Sequence, residues 1–267
     1  TVWTDPAAYQ RFTQSTDLPK ITEMFEHMYV EGALPQPQEF EVVAFARSEE
    51  KVKQMFGTTE GFYIGNILNP NDLSTALEGC QALVILTSAV PRIKTPPQEG
   101  KPPVFDFEES GMPEEVDWLG QKNQIDAAKT AGIEHIVLVG SMGGTNENNP
   151  LNNLGNGNIL IWKRKAEQYL IDSGVDYTII RAGGLLDEPD GCRELIVGKN
   201  DTLLTSPPND IPTSIPRGDV ANVVIEALKQ PLSRNKAFDI ISKPEDDSQA
   251  LVTSDWEALF AQTTPGI

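Results

Sequence analysis

The sequence predicts an α/β protein, a doubly wound parallel sheet with a small C-terminal cap. Three stretches carry that expectation. Val137–Gly144 reads as an apolar strand ending in a small-residue turn. Ile159–Ser173 reads as a helix closed by Gly174. Tyr177–Arg181 reads as a second apolar strand that runs into Ala182-Gly183-Gly184. Strand, glycine turn, helix and strand in that order build a parallel unit, and the carboxyl ends of its strands line a ligand crevice.

The remaining elements follow the same rhythm. Glu41–Ala46 is a short apolar strand, Glu49–Phe56 a helix, Gly61–Ile64 a strand, and Asn71–Leu77 a helix opened by Asn69-Pro70. Ala82–Leu86 is continuously apolar, as a strand buried on both faces requires. Trp118–Ala131 is a helix with Gly132 at its C′ position, followed by a strand at Glu134–Val139. Further on come a helix at Val220–Lys229 with Asp219 as N-cap, a strand at Ala237–Ile241, and a helix at Ser254–Thr263 with Ser254 as N-cap. Asn146–Asn158 and the proline-rich, acidic Val90–Val116 are loops. The second follows a strand's carboxyl end and would hang over the crevice as a lid or docking surface.

Residues 1–40 do not share this rhythm and form a divergent N-terminal segment. Within them Lys20–Leu34 shows one apolar stripe at helical spacing: Ile21, Met24, Phe25, Met28 and Tyr29. Residues 41–267 then form a single domain, with about 186–267 as the cap region. A length of 267 residues suits that count.

Composition excludes several function classes. There are 39 acidic and 21 basic residues, a net charge of −18, so nucleic acid and anionic membrane are not partners for this surface. The two cysteines, Cys80 and Cys192, form no CxxC and indicate a reducing compartment. The two histidines are far apart, so no metal site is expected, and His135 reads as a surface cap ahead of its strand. No apolar run approaches the roughly 20 residues of a membrane span, and no signal-peptide core is visible. The chain opens on Thr1 rather than Met, which is compatible with removal of an organelle-targeting segment.

Candidate site residues cluster at strand ends. Thr87-Ser88-Ala89, Ser141-Met142-Gly143-Gly144 and Ala182-Gly183-Gly184 each follow a parallel strand, and small residues there let an extended ligand lie against backbone, or simply make tight turns. Arg47 follows the first clear strand. An Arg at that position favours a 2′-phosphate, hence NADP over NAD, and reads equally as a solvated strand-end charge. Lys163 and Glu167 stand i, i+4 and can pair on one helix face. Lys163 is either surface charge or a crevice residue that orients a ribose.

The stretches Val84–Pro91 (VILTSAVP), Val116–Lys129 (VDWLGQKNQIDAAK), Val139–Asn146 (VGSMGGTN), Leu154–Leu170 (LGNGNILIWKRKAEQYL) and Tyr177–Leu186 (YTIIRAGGLL) resemble the atypical short-chain dehydrogenase/reductase family. The similarity is to its plant and algal NAD(P)-binding members, related to NmrA-like and Ycf39-like proteins, and runs from about Glu41 to Pro244. The resemblance implies a Rossmann-like fold and NADP(H) as the cofactor, if any. It also implies roles. Arg47 would meet the 2′-phosphate, Thr87, Ser88 and Ala89 would line the dinucleotide, and Ala182, Gly183 and Gly184 would flank the nicotinamide. Ser141 and Lys163 would take the family's catalytic Ser and Lys positions and also touch the cofactor, with Asn123 as the supporting helix Asn. A chloroplast location follows from the same relatives, in the stroma or on the stromal thylakoid surface, with the cytoplasm as the alternative.

Two departures bear on activity. The family opens with a strand and a GxxGxxG loop whose bare backbone approaches a pyrophosphate, whereas residues 1–40 hold one glycine, Gly32. The family's proton-transferring Tyr, four residues before the Lys, is Ile159 here. Two function classes follow. One is a non-catalytic or weakly cofactor-binding relative acting as a scaffold or assembly subunit, with protein partners at the N-terminal segment or the 90–116 loop. The other is an NADPH-dependent oxidoreductase. A sensor that binds NADP(H) without turnover is a third possibility.

Overall fold

The computed structural model describes residues 40–96 and 103–266. The expected helix at Lys20–Leu34 and the N-terminal partner surface lie outside the described residues.

The described chain runs β1 (Ala44–Ala46), α1 (Glu49–Phe56), β2 (Phe62–Ile64), α2 (Pro70–Ala76) and β3 (Ala82–Ile85). It continues through β4 (Arg92–Thr95), β5 (Val104–Asp106), a π-helical turn (Glu114–Gly120), α3 (Gln121–Ala131) and β6 (His135–Ser141). After a 3-10 turn (Pro150–Asn156) come α4 (Ile159–Asp172), β7 (Asp176–Ala182), β8 (Gly184–Leu186) and β9 (Leu195–Gly198). Last are α5 (Thr202–Thr205), β10 (Ser214–Pro216), α6 (Arg217–Lys229), β11 (Lys236–Ser242) and α7 (Trp256–Ala261).

The central sheet has the order β3-β6-β7-β11-β9. Its first four strands are parallel and β9 is antiparallel to β11. β1 and β2 form a separate parallel pair, as do β8 and β10. Each central strand alternates its apolar side chains between two faces. Ile136 and Leu138 of β6, Ile179 of β7 and Ala237 of β11 pack with Ile125, Ala128 and Leu170 of α3 and α4. Val137, Ile180, Phe238 and Ile240 point the other way, onto Val220, Val223 and Val224 of α6 and Phe260 of α7. Two helical layers on one parallel sheet make the fold doubly wound and Rossmann-like.

Local differences from expectation have physical reasons. The 90–116 stretch contains an antiparallel hairpin, β4 with β5, because it brings its own packing. Phe105 and Phe107 are buried, and Phe107 lies against Gly155 and Gly157, where a Cβ would stand within 3.0 and 2.6 Å of its ring. Two of its acids are paired, Asp106 with Lys94 at 2.6 Å and Glu108 with Arg92 at 2.5 Å. β9 and β11, both in the stretch expected to form the cap, join the central sheet. α6 begins at Arg217, so Asp219 lies inside its first turn, and its carboxylate accepts from the Gly191 amide at 2.7 Å. Asp255, not Ser254, caps α7, accepting from the Ala258 amide.

His135 is a correction. It is buried, not a surface cap, because β6 is an interior strand. Its Nε2 lies 2.9 Å from Thr178 Oγ1, and that hydroxyl donates its only proton to the Ser233 carbonyl at 2.9 Å. Nε2 must therefore carry the hydrogen and donate, which leaves Nδ1 a buried acceptor without a partner. Burial pushes the His135 pKa down to about 4.

Candidate functional site

Parallel register assembles the site. β3 pairs with β6 from Ala82↔His135 to Ile85↔Leu138, and continuing that register past Ile85 brings Ser88 level with Ser141. β6 pairs with β7 with Ser141 opposite Ala182. Ser141 and Ala182 thus share one row across two strand ends, and the same register carried past the end of β3 would add Ser88. Ser88 is exposed and Ala182 buried.

The turn after β3 is held from behind. Asp117, Gln121 and Gln124 stand i, i+4, i+7 on one helical face, and all three are buried. Asp117 Oδ2 accepts from the Ala89 amide at 3.0 Å. Gln121 Nε2 donates to the Thr87 carbonyl at 2.9 Å, and Gln124 Nε2 donates to Thr87 Oγ1 at 3.1 Å. A turn that leaves a sheet has backbone polar groups with no ladder partner, and these side chains satisfy them. Gln121 Oε1 stays buried with no partner.

The turn after β6 is held the same way. Asp201 accepts from the Gly143 amide at 2.7 Å, the Thr145 amide at 2.8 Å and the Thr145 hydroxyl at 2.5 Å. Gly143 has φ of +98°, and a Cβ there would stand 2.6 Å from Asn149 Nδ2, so only glycine fits. Ser141 Oγ donates to the Met142 carbonyl at 3.1 Å. At the β7 end the backbones are crowded. The Gly183 amide donates to the Ile240 carbonyl and that of Gly184 to the Thr213 carbonyl, both at 2.9 Å. A Cβ on Gly183 would meet Thr213 O at 2.5 Å.

Lys163 is not surface charge. Its side chain is 9% exposed, and Nζ lies 2.7 Å from Asp117 Oδ1. The expected Lys163–Glu167 pair is not what forms. Glu167 faces the opposite partner set, bonding Arg164 at 2.9 Å and Arg181 Nε at 3.0 Å. Asn123 does not support Lys163 through its amide, which donates to the Ile67 carbonyl at 3.1 Å. Ile67 follows β2, so the β2 and β3 ends both attach to the start of α3. Arg47 is more than half exposed, 3.5 Å from the Ser110 carbonyl and 3.6 Å from Glu108 Oε2.

Beneath the row lies a charged cluster that sequence reasoning missed. Arg181, Glu167 and Asp239 are each 1% exposed or less. Burial works against the Arg181 charge, but Glu167 and then Asp239 outweigh it and the pKa is raised. Burial raises the Asp239 pKa, with Arg181 pulling the other way. Asp239 Oδ2 also accepts from the Asp201 amide at 2.7 Å. The cluster therefore connects through Asp201 to the Gly143–Thr145 turn. Among the described residues no cluster of His, Cys, Asp and Glu could hold a metal ion, and no helix is long and apolar enough to cross a membrane.

Comparison with known proteins names the class. The profile of a family described as NAD(P)H-binding matches residues 28–231, and the chain belongs to that family. An uncharacterized chloroplastic protein of Arabidopsis thaliana is 52% identical over 229 residues, covering 85% of this chain and 68% of that protein. Sanguinarine reductase of Eschscholzia californica is 50% identical over 248 residues, covering 84% of this chain and 87% of the reductase. The crystal structure of an oxidoreductase from Lactococcus lactis shares the fold, with a TM-score of 0.61 at 17% identity, covering 95% and 97% of the two chains.

The described residues fit one end of a nicotinamide dinucleotide. Gln121 Oε1 is a buried acceptor without a partner beside the strand-end turns, and the Ser141–Ala182 pair and the buried Lys163 stand at the same end of the sheet, where a ribose could be held. Arg47 supplies an exposed cation at the β1 end for a phosphate. No glycine-rich strand-to-helix turn stands among the described residues to cradle the pyrophosphate.

Proposed function

We propose that this protein is a chloroplast NAD(P)H-dependent reductase that prefers NADPH. The observation that carries the reading is the Ser141–Ala182 pair at adjoining strand ends, beside the Thr87–Ala89 turn and backed by Lys163, whose ammonium is fixed 2.7 Å from Asp117. The half-identical sanguinarine reductase supports reduction as the reaction class, and the chloroplastic relative supports the location. The cofactor, when bound, supplies the hydride.

The chain's own residues bind and orient. The Thr87-Ser88-Ala89 turn lines one side of the cofactor, Ser141 presents a hydroxyl at the end of β6, and Ala182, Gly183 and Gly184 keep the facing wall free of side chains. Lys163 holds a ribose, and Arg47 takes the 2′-phosphate in exchange for its contact with Glu108. With Ile159 four residues before Lys163, no tyrosine on that helix face moves the proton, so Ser141 relays it from water or the substrate carries it.

Isothermal titration of the full chain with NADPH and with NADH tests this reading. Low micromolar NADPH affinity, weaker NADH affinity and oxidation of NADPH by a reducible substrate support it. No saturable binding overturns it and favours the second reading, a scaffold or assembly subunit that keeps the fold. Ile159 and the scarcity of glycine before residue 40 favour that alternative.

A further inference from the structure

Asp117 is a fully buried acid whose two oxygens serve two different elements. Oδ1 takes the Lys163 ammonium of α4 at 2.7 Å, and Oδ2 takes the Ala89 amide of the β3 turn at 3.0 Å. We propose that Asp117 is the positioning residue of the site: one carboxylate locks Lys163 and the Thr87–Ala89 turn into a single rigid unit. The proposal rests on the reductase reading for its functional meaning, and on geometry alone for the lock itself.

Three features support it. A buried helix face is ordinarily apolar, as α3 becomes at Ile125 and Ala128, yet its leading edge is Asp117, Gln121 and Gln124, every one bonded to the β3 turn or to Lys163. Asp117 also lies in a π-helical turn, a wide turn that recurs where side chains are re-aimed for function. Finally, a carboxylate serving only as counter-ion to Lys163 would not need its second oxygen on a strand-end amide. Fixing both groups with one carboxylate makes the separation between a ribose-holding cation and the turn that lines the dinucleotide insensitive to side-chain rotation. Misplacement on the scale of an ångström at such a site costs on the order of a hundredfold in rate.

The test uses the full-length chain and four variants: Asp117→Asn, Asp117→Glu, Lys163→Met and the double Asp117→Asn/Lys163→Met. Two readouts are taken, amide hydrogen exchange at Thr87–Ala89 without cofactor, and NADPH affinity with kcat and KM. The lock predicts faster Ala89 exchange in Asp117→Asn, NADPH binding weakened on the order of tenfold or more, and partial recovery of both in Asp117→Glu. Lys163→Met alone also speeds Ala89 exchange, because it releases one side of the shared carboxylate. The double variant is no worse than the poorer single one. Unchanged Ala89 exchange in folded Asp117→Asn, or in Lys163→Met should Asp117→Asn not fold, overturns the proposal. A wild-type chain that binds no NADPH overturns the reductase reading, and the exchange results still decide the lock.

Discussion

Arg181 and Glu167 meet where solvent does not reach either: Nε donates to Oε2 at 3.0 Å, and Nη2 stands 2.9 Å from the same oxygen. Asp239 lies 3.6 Å from Nη1 on the opposite side. One guanidinium thus serves two buried acids at the carboxyl end of β7, next to the Gly140–Ser141 backbone. A Cβ on Gly140 would lie 2.7 Å from Glu167 Oε1, so the strand end and the acid are fitted to one another.

Replacing Arg181 with Met should leave the buried Asp239 without a cation and Glu167 with Arg164 alone, and destabilise the fold by about 3–5 kcal/mol. The pH dependence gives a sharper signature. Asp239 already has a raised pKa in the folded chain, so its contribution is complete below the usual carboxylate range and is lost as pH rises through the raised value. Without Arg181, which holds that value down, the loss deepens. Urea unfolding of Arg181→Met should show a larger deficit at neutral pH than in acid.

Asp201→Asn should loosen the β6 turn without unfolding the protein. The carboxylate collects three donors from Gly143 and Thr145. Asn offers one acceptor oxygen in place of two, and a lost charged hydrogen bond costs about 1.5–3 kcal/mol. Hydrogen exchange should accelerate at Gly143 and Thr145 while the β7 and β11 amides keep their protection.

His135 makes stability fall in mild acid. Its folded pKa of about 4 lies below the ordinary 6.5, so between those values the unfolded chain binds a proton that the folded chain refuses. The contribution is complete above pH 6.5 and lost as pH falls through 4, a loss of about 3 kcal/mol for a shift of this size. Thermal unfolding across this range should show a smaller drop in His135→Gln, whose side chain keeps a donor for Thr178 and takes up no proton.

Much of the sheet was legible because each strand is short, apolar and bounded by its own punctuation. The positions of Thr87–Ala89, Ser141 and Ala182–Gly184 followed directly, since parallel strands bring their carboxyl ends to one side. What surrounds them was less legible. Lys163 and Glu167 have pairing spacing, but the distance along a helix does not say which face is inside. Asp117 and Arg181 settle the matter from elements 46 and 14 residues away. Arg181 carried a signal of its own, since a cation inside an apolar interior strand demands acids near it. The polar run Asp117, Gln121, Gln124 was equally visible at helical spacing, but helix stripes are ordinarily sought among apolar residues. β9 closes on Gly198 but its apolar run is only Leu195–Val197, and it pairs antiparallel only because β11 presents an edge.

The π-helical turn works as a length gauge. It carries one residue more than a regular turn, and that surplus is taken up between Glu114 and Gly120. A residue lost between Asp117 and Gln121 would change the spacing that aims both side chains at the β3 turn. The two bonds of Asp117, to Ala89 and to Lys163, depend on that spacing. Variation that changes the number of residues here is therefore far more disruptive than a change of residue type on the turn's outer surface, where Leu119 stands exposed.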